Sequence, residues 1–388
     1  LHRDQGLLYF LDRIGALRDV RWRKVRMLFR LDGRMYDLAD PVDFLRFPMS
    51  LTDKLRFVRL MTRCFIKSDW TDWHERSAAE LVDEWGGPGV RQAIFDPLAR
   101  LKFDRPCDEV SGAWLGARLN FREGSAPLGY IPGSNWTKVL CDGVSDLIER
   151  ASVRVRAGTS VVRLVGDGDS IARVELDDGE SLAADLVVSA VPTEVYRELL
   201  GESRPELEAI QYTAIVSAIF TTRQTIRPDF YWMNLASLDC NACGIFVLNS
   251  LNPTIGGSGE TCLNIMSHVR SRKDTFFNQG DEQILAAYRA DFRRVFGFEI
   301  TPVWSKLHRL PMYSPVFFRG YRNPTLRDPR LRNVYLAGNY RTFPSIASTG
   351  TALSSGVETG TAMLADHGCT TDLPDAIGRF RLASMPKG

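Results

Sequence analysis

No run of about 18 uninterrupted apolar residues occurs in this 388-residue chain, so a transmembrane helix is not expected. Nor does a cationic leader followed by an apolar core mark it for secretion. Histidine is scarce: the five (His2, His74, His268, His308, His367) stand apart and never take HExxH spacing, which argues against a zinc hydrolase. The seven cysteines are an odd number at irregular spacing, which argues against a disulfide framework and fits a reducing, cytoplasmic setting. Cys240 and Cys243 form one CxxC without a second pair or neighbouring histidines. They read as small core residues rather than a metal or redox pair, and no metal site is expected. There is no GxSxG elbow and no Walker loop. The dinucleotide fingerprint GxGxxG is missing too, since neither GDGDS at Gly166 nor GGPG at Gly86 follows a strand and opens a helix.

What is present is an ordinary globular balance, 44% hydrophobic and 25% charged, over a length sufficient for two domains. A net charge of +2 hides an asymmetry, because the first 67 residues carry 15 Lys and Arg against 8 Asp and no Glu. A solvated arginine-rich surface is the plain reading; steering of an anionic substrate and contact with an anionic membrane are the alternatives. Nucleic-acid binding is not expected, since no recognition helix, finger or sheet motif accompanies the charge. Nothing in the sequence sets an oligomeric state.

Helical signals dominate from Leu1 to about Leu119, interrupted at Asp32-Gly33, Asp40-Pro41, Gly86-Gly87-Pro88 and Arg105-Pro106. After Pro48, Ser50 can cap a helix with Asp53 three residues on, and Leu51, Leu55, Val58, Thr62 and Phe65 fall on one face. Core packing is the simpler reading of that stripe. The interleaved Arg56, Arg59, Arg63 and Lys67 leave an interfacial helix at a membrane as the other. From Gly129 a turn-like GYIPGSNW leads into a helix ending near Arg150. VRVRAG, SVVRLVGDGD, IARVELDDG and SLAADLVVSAVP then read as short strands. Four more, YTAIVSAIFTT, FYWMNLAS, GIFVLNSL and TCLNIMSHV, read as one antiparallel sheet carrying aromatic residues. A helix from Asp281 to Phe296 and a strand around Val303 to Leu310 follow.

The run NVYLAGNYRTFPSIASTGTALSSGVETGTAMLAD, from Asn333 to Asp366, is the most informative. It reads as a buried strand, a turn at Gly338, a polar loop and a helix of small residues. A strand feeding a helix N-terminus brings backbone amides to bear on an anion or an electron-rich ring. Gly350, Gly356 and Gly360 would let that helix pack closely on the neighbouring sheet, because repeated glycine in a helix costs about 1 kcal/mol each and wants a reason.

Taken in order, this run, GYIPGS, GTSVVRL, ADLVVSAVP and the early DGRMYDLADPVDFLRFP resemble the flavin-dependent amine oxidase superfamily over nearly the whole chain. Within it the nearest likeness is to protoporphyrinogen oxidases and phytoene desaturases. The resemblance implies an α/β fold in which an FAD-binding Rossmann-like domain of the glutathione-reductase type is interleaved with a substrate domain of mixed antiparallel sheet and helices. The FAD domain is expected to be N-terminally truncated, the family's GxGxxG unit falling before Leu1. Expected boundaries are 1–128 for the first part of the helical cap, 129–204 for the FAD-domain helix and meander, 205–325 for the substrate sheet, 326–366 for the FAD-domain strand and helix, and 367–388 for a tail.

The resemblance further implies FAD as cofactor. Val161 falls where the family's strand gives main-chain contacts to adenine. Gly338 and Asn339 match the Gly-Asp near the ribityl chain, Asn339 keeping a hydrogen-bonding side chain without the carboxylate. Thr349, Gly350, Thr351 and Ala352 match the loop and helix start under the isoalloxazine, with Thr351 where glycine is usual. The implied reaction is removal of hydride by FAD from a largely apolar small molecule, such as a polyene or a reduced tetrapyrrole. Tyr231, Trp232 and Tyr313 are candidates for the substrate cavity, and no catalytic acid or base is assignable. A flavin-dependent sugar-nucleotide mutase, or a chain holding no cofactor, are the alternatives.

Overall fold

The computed structural model describes residues 4–121, 127–236 and 240–371; most of the expected tail, 372–388, lies outside them. The described residues form two compact units, one of 19–136 and 212–321, the other of 4–18, 137–211 and 322–371. The chain therefore changes unit at 136/137, 211/212 and 321/322, beside the expected 128/129, 204/205 and 325/326, and its first helix, Gln5–Arg13, belongs with the second unit.

The first unit is built on a seven-stranded sheet in the order Pro302–Pro315, Tyr212–Thr222, Thr261–Val269, Gly244–Val247, Trp232–Leu235, Met27–Leu31, Arg34–Asp37. It is mixed rather than antiparallel throughout, because Trp232–Leu235 runs parallel to Met27–Leu31. The last two strands replace what reads as helix in the sequence. They form a hairpin turned by Asp32 (φ 47°) and Gly33 (φ 77°), the positive-φ pair that a tight two-residue turn demands. Alternation along the long strands gives the sheet two different faces. Ala214, Val216, Ala218 and Phe220 point with Leu263 and Ile265 into a core closed by Ile284, Tyr288 and Phe292 of the helix Asp281–Phe296. Full burial of each such aliphatic or aromatic side chain contributes roughly 1.5–3 kcal/mol. Tyr288 fixes the register of helix on sheet, its hydroxyl donating to Val216 O at 3.0 Å and meeting Ser267 Oγ at 2.9 Å. On the other face, Ser217, Asn264, Met266 and Trp232 are only half-buried.

The helix Leu51–Ile66 starts where expected, with Ser50 Oγ accepting from the Asp53 amide, and its last carbonyls are met by the Asn120 amide group at 2.8–3.1 Å. Its apolar stripe, however, does not enter a core. Leu51, Leu55, Val58 and Phe65 are 71%, 73%, 53% and 48% exposed. The inner face is instead Lys54, Leu60 and Cys64, and Lys54 is tolerated there because Nζ donates to Leu45 O at 2.7 Å.

In the second unit, Val161–Asp167, Ser170–Leu176 and Ser181–Ala183 form a meander, and Val187–Ser189 pairs in parallel with Val334–Leu336. VRVRAG forms no strand and ends in a turn at Ala157-Gly158, so the expected first strand of the meander is absent. Asn333 joins the two sheets, accepting from the Ile171 amide at 2.9 Å and donating to the carbonyls of Ile171 and Asp185. Ahead of it, fully buried Arg204 pairs with Asp328 at 3.0 Å, and the Tyr196 hydroxyl donates to the same carboxylate at 2.8 Å.

Candidate functional site

The strand Val334–Leu336 delivers Gly338 to a backbone conformation (φ 145°, ψ 170°) that is essentially reserved for glycine, and a Cβ there would lie 2.7 Å from the Tyr340 ring. The Gly338 amide donates to Ser355 Oγ at 3.0 Å, and Thr359 Oγ1 donates toward Leu336 O at 3.3 Å. Ser355 and Thr359, one turn apart and both buried, are thus the residues by which the helix Thr349–Asp366 lies on the strand. This corrects the expected role of two glycines: Cβ atoms on Gly356 or Gly360 would meet nothing within 4 Å, so neither serves close packing on the sheet. The far end of the helix is tied down by Asp366, which accepts from Tyr335 Oη at 2.7 Å and Arg327 Nε at 2.6 Å.

At the near end, Ser348 and Thr351 form a reciprocal capping box: the Thr351 amide donates to Ser348 Oγ and the Ser348 amide to Thr351 Oγ1. Thr351 therefore has its own reason to stand where the resembled family has glycine, since it closes the start of its helix. Ala352 bonds back to Ser348 O in the ordinary helical way. The amides of Thr349 and Gly350 have no protein acceptor among the described residues. Gly350 does not offer a bare surface, however. A Cβ on it would lie 1.7 Å from Asp4 Oδ1, and one on Gly6 would lie 2.0 Å from Gly350 O, so Gly350 is where the first helix crosses the last. Burial raises the pKa of the Asp4 carboxyl at this crossing.

Asn339 opens a short turn whose carbonyl accepts from Thr342, and its side-chain amide makes no hydrogen bond among the described residues. Val161 is 41% exposed on an edge strand paired only with Ser170–Leu176, which leaves outward backbone groups for a ligand. The residues present fit the electron-rich edge of a flavin. Two uncharged amides without a protein acceptor among the described residues, at the positive end of an 18-residue helix, are a preorganised donor set for negative charge.

In the first unit the open face of the sheet carries two patches. Trp232 stacks on Phe246 with centroids 5.1 Å apart at 23°, and Tyr231 meets the same ring edge-on at 5.6 Å. Tyr313 is not with them. It lies on the edge strand, its ring 5.3 Å from His268 and 5.4 Å from Lys102 Nζ. Sequence reasoning passed over Lys102, Arg118 and His268, since a lone cation on a helix and an isolated histidine carry no pattern. Cys243 is half-buried with its thiol pushed up to about 11, so it stays protonated at neutral pH.

Helix-start amides in one unit and a half-open aromatic sheet in the other are the elements of a two-part flavoprotein. A family model of flavin containing amine oxidoreductases matches residues 2–364, and the chain belongs to that family. It is a flavin-dependent oxidoreductase with FAD as its cofactor. Among solved structures it is similar to a protein from Exiguobacterium sp. 255-15 whose name assigns it provisionally to the protoporphyrinogen oxidases, with 15% identity over 94% of this chain and 86% of that one, TM-score 0.72. It is also similar to a reduced UDP-galactopyranose mutase (12% identity, 95% and 84% covered, TM-score 0.70) and to a putrescine oxidase bound to putrescine (14%, 93% and 86%, TM-score 0.64). At such identities these likenesses establish the fold. No curated protein matches the chain.

Proposed function

We propose that the enzyme dehydrogenates a largely apolar small molecule, a polyene or a reduced tetrapyrrole, held on the open face of the first unit's sheet. The observation that carries this is the Trp232–Phe246 stack with Tyr231 against its edge, a flat apolar platform on a face that the core does not use. FAD, when bound, supplies the electron acceptor. The chain's own part is positional: the Thr349 and Gly350 amides orient the ring end of the cofactor, Gly338 and Asn339 lie along its approach, and the platform desolvates the substrate. No side chain is assigned as acid or base. The experiment is anaerobic mixing of FAD-loaded protein with a porphyrinogen or a polyene precursor. Bleaching of the flavin band supports the reading, and replacement of Trp232 by Ala should lower kcat/KM about tenfold or more, roughly the loss of one large apolar contact. Turnover of a uridine-diphosphate sugar without net oxidation would replace it with a mutase.

A peripheral membrane role is supported by a separate observation. Val42, Leu45, Leu51, Leu55, Val58, Phe65 and Ile66 are all at least 48% exposed along two consecutive helices, with Arg46, Arg56 and Arg59 exposed beside them. An apolar stripe flanked by cations suits an anionic lipid surface. No helix among the described residues is long and apolar enough to cross a membrane, so contact would be in-plane. Co-sedimentation with phosphatidylserine-containing vesicles, absent with pure phosphatidylcholine, is the expected result in a cytoplasmic protein; equal sedimentation with neither would remove this reading.

A further inference from the structure

Two cations of the first unit stand without a counter-ion among the described residues. Lys102, near the end of the helix Asp96–Phe103, and Arg118, on Gly112–Phe121, retain some accessible surface, yet protein surrounds them closely enough that burial lowers the pKa of both, that of Lys102 to about 8. Among the described residues neither forms an ion pair nor donates a hydrogen bond; each has only an aromatic face, Lys102 over Tyr313 at 5.4 Å and Arg118 over Trp114 at 5.8 Å. His268 completes the group. It stacks on Tyr313, and its buried Nδ1 has no hydrogen-bond partner. Burial first, then the fields of Lys102 and Arg118, keep its imidazole neutral.

Arg91 and Arg204, by contrast, are answered by carboxylates: Arg91 by Asp83 and Asp96, each at 2.9 Å, and Arg204 by Asp328. Positive groups left together, with no acid facing them among the described residues and a ring nitrogen idle beside them, lack an anion. The strand Thr261–Val269 gives the site its surroundings. His268 and Asn264 share a face four residues apart, about 13 Å along the strand. Asn264 pairs with Phe246, which stacks on Trp232. One face of the sheet therefore carries an apolar platform and, farther along, a cationic end.

We infer that Lys102, Arg118 and His268 form an anion-binding site for a carboxylate or phosphate on the substrate, whose apolar body rests on Trp232 and Phe246. The substrate is then amphipathic, with its charge fixed at the Tyr313 end. This rests on the open face being the substrate face, as proposed above, but not on any redox step.

The test is calorimetric titration of the full chain, FAD-loaded, with octanoate, octyl phosphate, octanol and uridine diphosphate. Octanoate or octyl phosphate should bind wild type about tenfold tighter than octanol, as a charge-assisted contact requires. In the Lys102→Met, Arg118→Met double variant that ratio should fall to about one with octanol binding unchanged, whereas Arg118→Lys should keep most of it. Equal binding of the three octyl probes by wild type, or a ratio preserved in the double variant, overturns the site. Uridine diphosphate bound more tightly than octyl phosphate, and lost in the double variant, would keep the anion site while removing the apolar-substrate reading. A chain that keeps the octanoate preference yet binds no flavin would separate the site from the redox function. Should the double variant not fold, inorganic phosphate added to wild type at constant ionic strength must raise the Tm and compete with octanoate; failure to do so counts against the site equally.

Discussion

Arg204 in the second unit and Lys102 in the first are both cations withdrawn from water, and their surroundings differ in kind. Around Arg204 the charge is answered: Asp328 stands at 3.0 Å and a second carboxylate, Glu202, at 3.3 Å, while Asp328 itself accepts from the Tyr196 hydroxyl and the amides of Arg330 and Leu331. Around Lys102 stand an aromatic ring, a second cation, a neutral imidazole and a protonated thiol. The first arrangement holds a fold together, fixing the loop that leads into Asn333 and the strand before Gly338. The second costs stability and returns none within the protein. A charge kept at such cost is the mark of a binding residue, whereas a satisfied one is the mark of a structural residue.

Substitutions can collapse or widen this contrast. The largest effect is expected from Asp328→Ala, which turns Arg204 into a second Lys102, but fully buried. It should destabilise the protein by about 3–5 kcal/mol, read as a lower urea midpoint. Next is a change without charge, Gly338→Ala, which forces a Cβ into a glycine-only conformation and against Tyr340. A loss of about 1–3 kcal/mol in thermal denaturation is expected, together with weaker flavin retention. Lys102→Met should move the other way and raise the Tm at pH 7 by a few degrees, about what removal of an uncompensated charge allows.

The sign follows from proton linkage. With a folded pKa near 8 and an ordinary value of 10.5, the unfolded chain holds the Lys102 proton between those pH values while the folded chain releases it, so wild-type stability rises across that window. The advantage of the methionine variant should be full below pH 8 and vanish toward 10.5. Arg118, Tyr313, Cys243 and His268 face Lys102 and are present in both proteins; its charge lowers the pKa of His268 and of Cys243, so its loss raises both. Smallest is Leu55→Glu on the exposed stripe, expected to shift stability by no more than about 0.5 kcal/mol while abolishing sedimentation with anionic vesicles.

The same contrast explains what could be read from sequence. Long apolar runs such as Tyr212–Thr222 and Thr261–Val269, and the helix Asp281–Phe296 ended by Gly297 at φ 79°, declare themselves because periodicity and a C-cap agree. The capped small-residue helix at Thr349 was legible for the same reason. The hairpin at Asp32-Gly33 was not read, although its turn signal is present, because arginines on both strands dilute the alternation. The Leu51–Phe65 stripe gave the right helix with the wrong face inward, since periodicity states that a face is apolar and not what covers it. Gly350 stands at a helix crossing as well as at a helix start, and the crossing was not legible because it is made by Asp4, some 350 residues away in sequence. Lys102 and Arg118 were beyond sequence reasoning, because an unanswered charge is defined by the carboxylates that folding brings near, and among the described residues it brings none.

The claim that the first unit holds an unanswered cationic group for its substrate is tested most directly by the Tm of wild type and Lys102→Met at pH 7, with and without saturating octanoate. The account predicts a crossing: the variant melts higher without octanoate, and wild type melts higher with it. A variant that melts lower without ligand, or an octanoate shift equal in both proteins, would contradict it.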